Sequence, residues 1–313
     1  MTNRFLHITN GSCLTNYLKD LNIRGEFFTW HEMLCEGPTC EIVDSQQFLN
    51  IRKAFLSDFY QIEIDEYAFQ EDLKIFNNLD DYSDIILWFE YDLFCHVNLI
   101  AIISLLQQKN VSLPLSLVCS GRIKGVSELK SLSELNESQL IEHFDNRIVL
   151  TENDIDTASI LWKIYCGDNH NLIKPYILKS TSFKYLNSCL KAHLKRFPDS
   201  QNGLSRLEKH ILEIVHEQDI KSKHHLLGYV LNYQGYYGYG DLQIERIIDY
   251  LEFFFNINKN EVVLNRFGHE ALNNNQNFFN HIDNNISFGG AKRSDYYFHQ
   301  KQNKLINTTY NAH

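Results

Sequence analysis

The stretch DIILWF, residues 84–89, followed at once by EYD, residues 90–92, decides how the rest of the chain is read. It is apolar at nearly every position, as a strand of a parallel sheet is when both of its faces are buried. C-terminal to it, Val97–Gln107 reads as an apolar helix and Leu113–Cys119 (LPLSLVC) as a further strand closed by Ser120-Gly121. N-terminal to it, Phe5–Thr9 is a short β-prone run ending in Asn10-Gly11-Ser12. Leu14, Tyr17, Leu18 and Leu21 then recur at helical spacing. Glu26–Trp30 (EFFTW) is a second strand, stopped by Gly37-Pro38. Residues 45–78 carry two helical stripes, one through Phe48, Ile51, Phe55 and Phe59, the other through Phe69, Leu73 and Phe76. Arg147–Leu150 gives a short fifth strand, and Thr151 with Asp154 opens the helix Ile155–Tyr165 in the manner of a capping box. Strands alternating with helices predict an α/β domain over residues 1–166, an open parallel sheet with helices on both sides.

Beyond it, Gly167–Pro175 (GDNHNLIKP) is polar and contains a proline, which predicts a linker over 167–180. The pattern is then helical: Phe183–Phe197, Ser205–Glu217 with Ser205 and Glu208 as a capping pair, Lys223–Tyr233, and Asp241–Phe255 with Asp241 as N-cap. Strand-like pieces follow at Val262–Phe267 and around Gly289-Gly290 within Ile286–Ile306. Three helices and a small hairpin predict a mostly helical, winged-helix-like domain over 181–306, with a frayed tail at 307–313.

Composition agrees with two packed domains: 313 residues, 44% of them apolar, with 17 Tyr and 21 Phe. No stretch approaches the roughly 20 uninterrupted apolar residues of a membrane span. Met1–Asn10 has no apolar run of signal-peptide length, which predicts a cytoplasmic protein without a membrane partner. Seven cysteines lie without CxxC spacing and read as reduced thiols. Charge is unevenly spread. Residues 1–173 hold 12 Lys/Arg against 26 Asp/Glu, a net of −14, whereas 174–313 hold 17 against 13, a net of +4. The acidic part disfavours nucleic acid lying across it; the basic part tolerates it.

In an open parallel sheet, ligands bind beyond the carboxyl ends of the strands. The first strand end supplies His7, Asn10, Gly11, Ser12 and Cys13; the second His31, Glu32 and Glu36; the third Glu90, Asp92 and His96; the fourth Ser120, Gly121 and Arg122. Asn10–Cys13 opens a helix, so backbone amides and the positive helix end converge there, as an anion such as phosphate or carboxylate requires. The same residues also fit an ordinary turn with Ser12 as N-cap. Glu90 and Asp92, in extended chain, lie on one side about 7 Å apart along the strand. They suit Mg²⁺ ligation or a base with its orienting group, or else an N-cap and a surface ion pair. Cys13 with His7 as base is a candidate nucleophile, against which stands the commoner inert thiol. His96, one turn into the next helix, reads equally as a capping or core histidine.

The Tyr-rich segment Tyr233–Tyr239 offers stacking faces, but the helix after it carries Asp241, Glu245, Asp249 and Glu252 against Arg246 alone, which favours interdomain packing. Lys191, Lys195 and Arg196 form a basic stripe that reads as a solvated face.

The blocks LHITNGSCLTNYL (6–18), WHEMLCEGP (30–38), LWFEYDLFCHVN (87–98), LVCSGR (117–122), GLSRLEKHILE (203–213) and FGG (288–290) together resemble the bacterial family "domain of unknown function 1835". The resemblance spans nearly the whole chain and implies a Rossmann-like domain followed by a winged-helix-type one, with no activity to carry over. Where that family carries Asn-Gly-Asp-Ser, this chain has Asn10-Gly11-Ser12-Cys13. Ser12 cannot replace a metal-binding Asp, whereas Cys13 can replace a nucleophilic Ser. The anion cradle is untouched, because backbone amides form it.

Two functions follow. The first is an enzyme acting on a phosphorylated or nucleotide-like small molecule: Asn10–Cys13 and Arg122 hold the anion, and Glu90 with Asp92 supplies the base or the Mg²⁺ ligands. The second is a regulatory or adaptor protein whose α/β part senses a ligand and whose C-terminal part binds a protein or DNA.

Overall fold

The structure is a computed structural model and describes residues 4–126 and 128–308. The chain begins with β1 (Phe5–Asn10), α1 (Ser12–Asp20), β2 (Glu26–Trp30), α2 (Gln46–Tyr60) and α3 (Glu66–Leu73). β3 (Asp84–Trp88), α4 (Leu93–Gln108) and β4 (Leu115–Val118) follow. A small hairpin of β5 (Gly121–Arg122) and β6 (Leu129–Lys130), then α5 (Glu137–Asp145), β7 (Ile148–Val149) and α6 (Glu152–Cys166), complete this part. Five strands form one sheet in the order β2-β1-β3-β4-β7, parallel except for β7, which runs antiparallel to β4. The fifth strand is thus present but reversed. It enters directly from α5, without the crossover that a parallel neighbour needs.

The apolar run of β3 explains its central place. Ile85 and Leu87 face one buried cluster, and Ile86 and Trp88 face another with Leu14 and Leu18 of α1 and Leu140 of α5. Helices therefore cover both faces. Each fully buried side chain of this size contributes roughly 1.5–3 kcal/mol, so β3 anchors the sheet. α4 is buried nearly all round, as a helix lying between the sheet and other helices must be. The helical region after residue 45 breaks at Gln61, whose φ of 53° ends α2.

The segment expected as a linker is packed: His170–Ile177 forms a 3-10 helix that buries His170, Ile173 and Ile177. α7 (Leu186–Leu194), α8 (Arg206–Glu217), α9 (Lys223–Tyr233) and α10 (Asp241–Leu251) follow. A hairpin comes next, β8 (Phe255–Asn258) with β9 (Glu261–Leu264), then α11 (Arg266–Leu272). Two more hairpins, β10 (Ser287–Phe288) with β11 (Ala291–Lys292) and β12 (Tyr296–His299) with β13 (Lys304–Asn307), end the description. Both expected capping boxes form, at Thr151/Asp154 and Ser205/Glu208. The N-cap of α10 is Gly240, one residue before Asp241. Of the expected tail, Asn307 closes β13 and residues 309–313 lie outside the described residues.

One buried apolar cluster runs through both halves of the chain, from Leu6 and Ile8 to Phe298 and Leu305. Gly289 and Gly290 of the last FGG sit so close to Tyr165 and Cys166 that a Cβ on either would overlap backbone carbonyls. Among the described residues no helix is long and apolar enough to cross a membrane.

Candidate functional site

β1 lies between β2 and β3, so the strand order reverses between β1 and β3. Open α/β sheets leave a ligand crevice at such a point, outside the strand ends. Two turns meet there.

The first turn ends β1. Gly11 caps α1 with φ 93° and no side-chain bond, its amide donating to the Trp30 carbonyl at 3.1 Å. A Cβ placed on Gly11 meets nothing within 4 Å, and Ser12 and Cys13 are exposed. The start of α1 therefore opens to solvent. Ser12 is the first helical residue, not the N-cap.

The second turn ends β3. Asp92 caps α4 by accepting the Cys95 amide at 2.8 Å, and Glu90 accepts the Leu132 amide at 2.9 Å. The carboxyl oxygens of Glu90 and Asp92 and the Cys95 sulfur lie within 4.8 Å of one another. A buried chain of amides joins the turns. Asn10 donates to Cys95 Sγ at 3.2 Å; its oxygen accepts from Asn98 at 2.8 Å. Asn98 also donates to the Glu32 carbonyl at 2.6 Å and accepts from the Leu34 amide at 3.1 Å. Because its oxygen is engaged, the Asn10 amide must turn its NH₂ toward the sulfur.

No ion pair reaches Glu90 or Asp92 among the described residues. Burial, with the neighbouring Asp92 charge next, pushes Glu90 up to about 8. Burial pushes Asp92 up to about 6, opposed by the amides that open α4. The two titrate as a pair, and at pH 7 one proton resides chiefly on Glu90 while Asp92 is mostly ionised. An acid then stands beside a base, the arrangement that proton-transfer chemistry uses. Burial raises the thiols of Cys95, Cys119 and Cys189 nearby, so they remain protonated.

The C-terminal part closes over this turn. The amides of Leu93 and Phe94 donate to the carbonyls of Tyr236 and Tyr237 at 2.8 and 3.2 Å. A Cβ on Gly238, whose φ is 68°, would come within 2.2 Å of the Asp92 carboxyl carbon. Cys189 donates to the Tyr91 carbonyl at 3.2 Å. Tyr237 and Tyr239 are buried, so the Tyr-rich segment packs against the sheet edge. The open helix start is that of α1, not α4.

For a metal, Glu90, Asp92 and Cys95 are the one group of three close donors among the described residues. Two carboxylates and a thiol suit Zn²⁺ better than Mg²⁺, which takes oxygen ligands only.

Several expected site residues stand elsewhere. His7 is buried in β1, stacked on Phe27 at 4.8 Å. Its Nδ1 accepts from the Trp88 indole at 3.0 Å, which leaves Nε2–H to donate to the Arg24 carbonyl at 3.1 Å. Burial lowers its pKa, and with both nitrogens engaged it cannot serve Cys13 as base. Glu32 is buried against Arg52 at 3.0 Å. Glu36 is buried against Arg246 at 2.8 Å and hydrogen-bonded by Tyr60, a bridge between the two halves. His96 donates from Nδ1 to the Asp92 carbonyl at 2.8 Å, and burial lowers it to about 4. Arg122 is exposed, its amide donating to the Tyr185 hydroxyl at 2.9 Å. Arg196, expected on a solvated stripe, is 3% exposed.

Cys95 and Asn98 were not singled out from the sequence. Their signal lies in LFCHVNLIAIISLL (93–106), where Asn98 is a lone amide within an apolar helix, one turn after Cys95.

No family model matches the chain, and no curated protein does. Among solved structures, the DNA-binding, cleavage and re-ligation domain of Plasmodium falciparum topoisomerase II is similar at 12% identity and a TM-score of 0.46. The alignment covers 79% of this chain and 41% of that one.

Proposed function

We propose that the protein is an enzyme acting on a phosphorylated or nucleotide-like small molecule at the junction of β1 and β3. The observation that carries this reading is an open helix start, at Gly11–Cys13, beside an acid pair, the half-buried Glu90 and the buried Asp92, that meets no ion-pair partner among the described residues. Backbone amides of α1 hold the anionic group, with the exposed Arg122 guanidinium on the same rim of strand ends. Glu90 donates a proton and Asp92 takes one. Asn10 sets the position of Cys95, and through it the floor of the site. A divalent cation, if used, takes Glu90 and Asp92, and the Cys95 sulfur selects Zn²⁺ over Mg²⁺. The α/β part is Rossmann-like and α8–α10 with β8–β9 is winged-helix-like in this reading. Both features are what the resemblance to domain of unknown function 1835 implies.

The test is thermal stabilisation by a panel of nucleotides and sugar phosphates, with and without Mg²⁺ or Zn²⁺. At least one compound raises the wild-type melting temperature. Glu90→Gln, an uncharged near-isostere, folds but loses that response. A panel that never shifts the wild type removes the proposal's support.

The regulatory reading comes second. The charge asymmetry and the three-helix-plus-hairpin unit favour it. A protein partner fits better than DNA, because Arg246, the one cation of α10, is engaged by Glu36. Strong, salt-sensitive binding of duplex DNA by the full chain would reverse that ranking.

A further inference from the structure

The seam between the two parts of the chain holds more positive than negative charge. Glu36, Arg196, Glu208, Arg246 and Arg293 line one cavity of about 20 Å³. A space of that size takes a single atom-sized occupant. Two arginines have partners: Arg293 meets Glu208 at 3.0 Å, and Arg246 meets Glu36 at 2.8 Å. Arg196 makes no ion pair among the described residues. Its guanidinium bonds the Cys35 carbonyl, the Tyr239 hydroxyl at 3.3 Å and His193 Nδ1, and lies 4.0 Å over the Phe288 ring. All four are neutral groups. Burial holds Cys35, Tyr165 and Tyr239 protonated and His193 uncharged, and the two carboxylates that line the cavity, Glu36 and Glu208, are each already paired with another arginine.

A buried guanidinium without a counterion is strongly disfavoured. A second observation points to the same place. The Nε–H groups of Arg196 and Arg293 are buried and meet no acceptor. A water in the cavity would accept a hydrogen bond but leave the charge uncompensated.

We propose that this cavity binds one monovalent anion of halide size, held between Arg196 and Arg293. Tetrahedral oxyanions such as sulfate are too large for it. Exchange with solvent runs past Arg246 and Tyr250, the partly exposed lining residues. The anion joins Glu36 and Arg246, an ion pair across the seam, to Glu208 and Arg293, an ion pair within the C-terminal part. It does not depend on the function proposed for the β1–β3 junction, none of whose residues lines this cavity.

The test uses the full chain. Thermal unfolding is followed in sodium chloride, sodium bromide, sodium gluconate and sodium sulfate at one ionic strength. Chloride and bromide raise the melting temperature by roughly 2–4 °C over gluconate, with saturation, whereas sulfate, excluded from protein surfaces, stabilises without saturating. Crystals grown in bromide show an anomalous peak between Arg196 and Arg293. Arg196→Met, which removes the charge that needs a counterion, loses the halide response. If that variant does not fold, the wild-type salt series and the bromide peak decide. Equal melting temperatures in chloride, bromide and gluconate, or bromide crystals without that peak, overturn the proposal.

Discussion

Two groups of acids in this molecule contrast in their partners, and the contrast separates scaffold from chemistry. Glu32, Glu36 and Glu208 each meet an arginine at 2.8–3.0 Å, Glu36 across the seam. At the end of β3, the half-buried Glu90 and the buried Asp92 have backbone amides for partners, and their pKa values rise to about 8 and 6. Paired charges fix geometry; Glu90, with no cation beside it among the described residues, holds a proton it can give away. Sequence shows acids in both places, and only the partners tell them apart.

The largest expected effect is at one of the paired acids. Glu208→Ala leaves Arg293 charged and buried without its partner and costs about 3–5 kcal/mol, read from urea unfolding. A loss below about 1 kcal/mol would mean that solvent reaches the pair and that the contrast is weaker than drawn.

Next comes the pH dependence of the β3 end. Glu90 and Asp92 have folded pKa values above their unfolded ones, so between those values the native state binds more protons than the unfolded chain. Stability is therefore highest at the acid side of the window and falls as pH rises from about 4.5 to 8. The wild type should lose on the order of 3 kcal/mol across it, and Glu90→Gln should flatten most of that slope. Stability that rises with pH through this window in the wild type, and in Glu90→Gln alike, would break the comparison.

Gly238→Ala should cost roughly 1–2 kcal/mol for the left-handed backbone alone, with more from overlap with Asp92. Because the added methyl meets that carboxyl, the variant should also change the pH profile, which an ordinary strained turn would not. Smallest is Tyr185→Phe, which removes the acceptor for the Arg122 amide and costs about 1 kcal/mol.

Much of the frame was legible because it follows local rules. The apolar run 84–89 fixed a central strand, Glu26–Trp30 matches β2 residue for residue, and Ser205/Glu208 and Thr151/Asp154 form the boxes their spacing predicts. Asn10 and Glu90 do come to adjacent strand ends, because β1 pairs with β3. What stayed hidden depends on partners distant in sequence. Glu36 resembles a site residue until Arg246 is seen beside it, and His7 resembles a base until Trp88 and the Arg24 carbonyl occupy its ring. The stretch 167–180 reads as a linker because its polarity is visible and the burial of His170 is not. Direction of the fifth strand was equally beyond periodicity, which is the same for parallel and antiparallel neighbours.

The carbonyls of Tyr236 and Tyr237 that receive the first amides of α4 have a consequence for biosynthesis. A ribosome delivers the sheet strands long before those tyrosines emerge, so on the nascent chain water takes the place of these two carbonyls at the start of α4. The turn that carries Asp92 is therefore completed only when the C-terminal part arrives, late in synthesis.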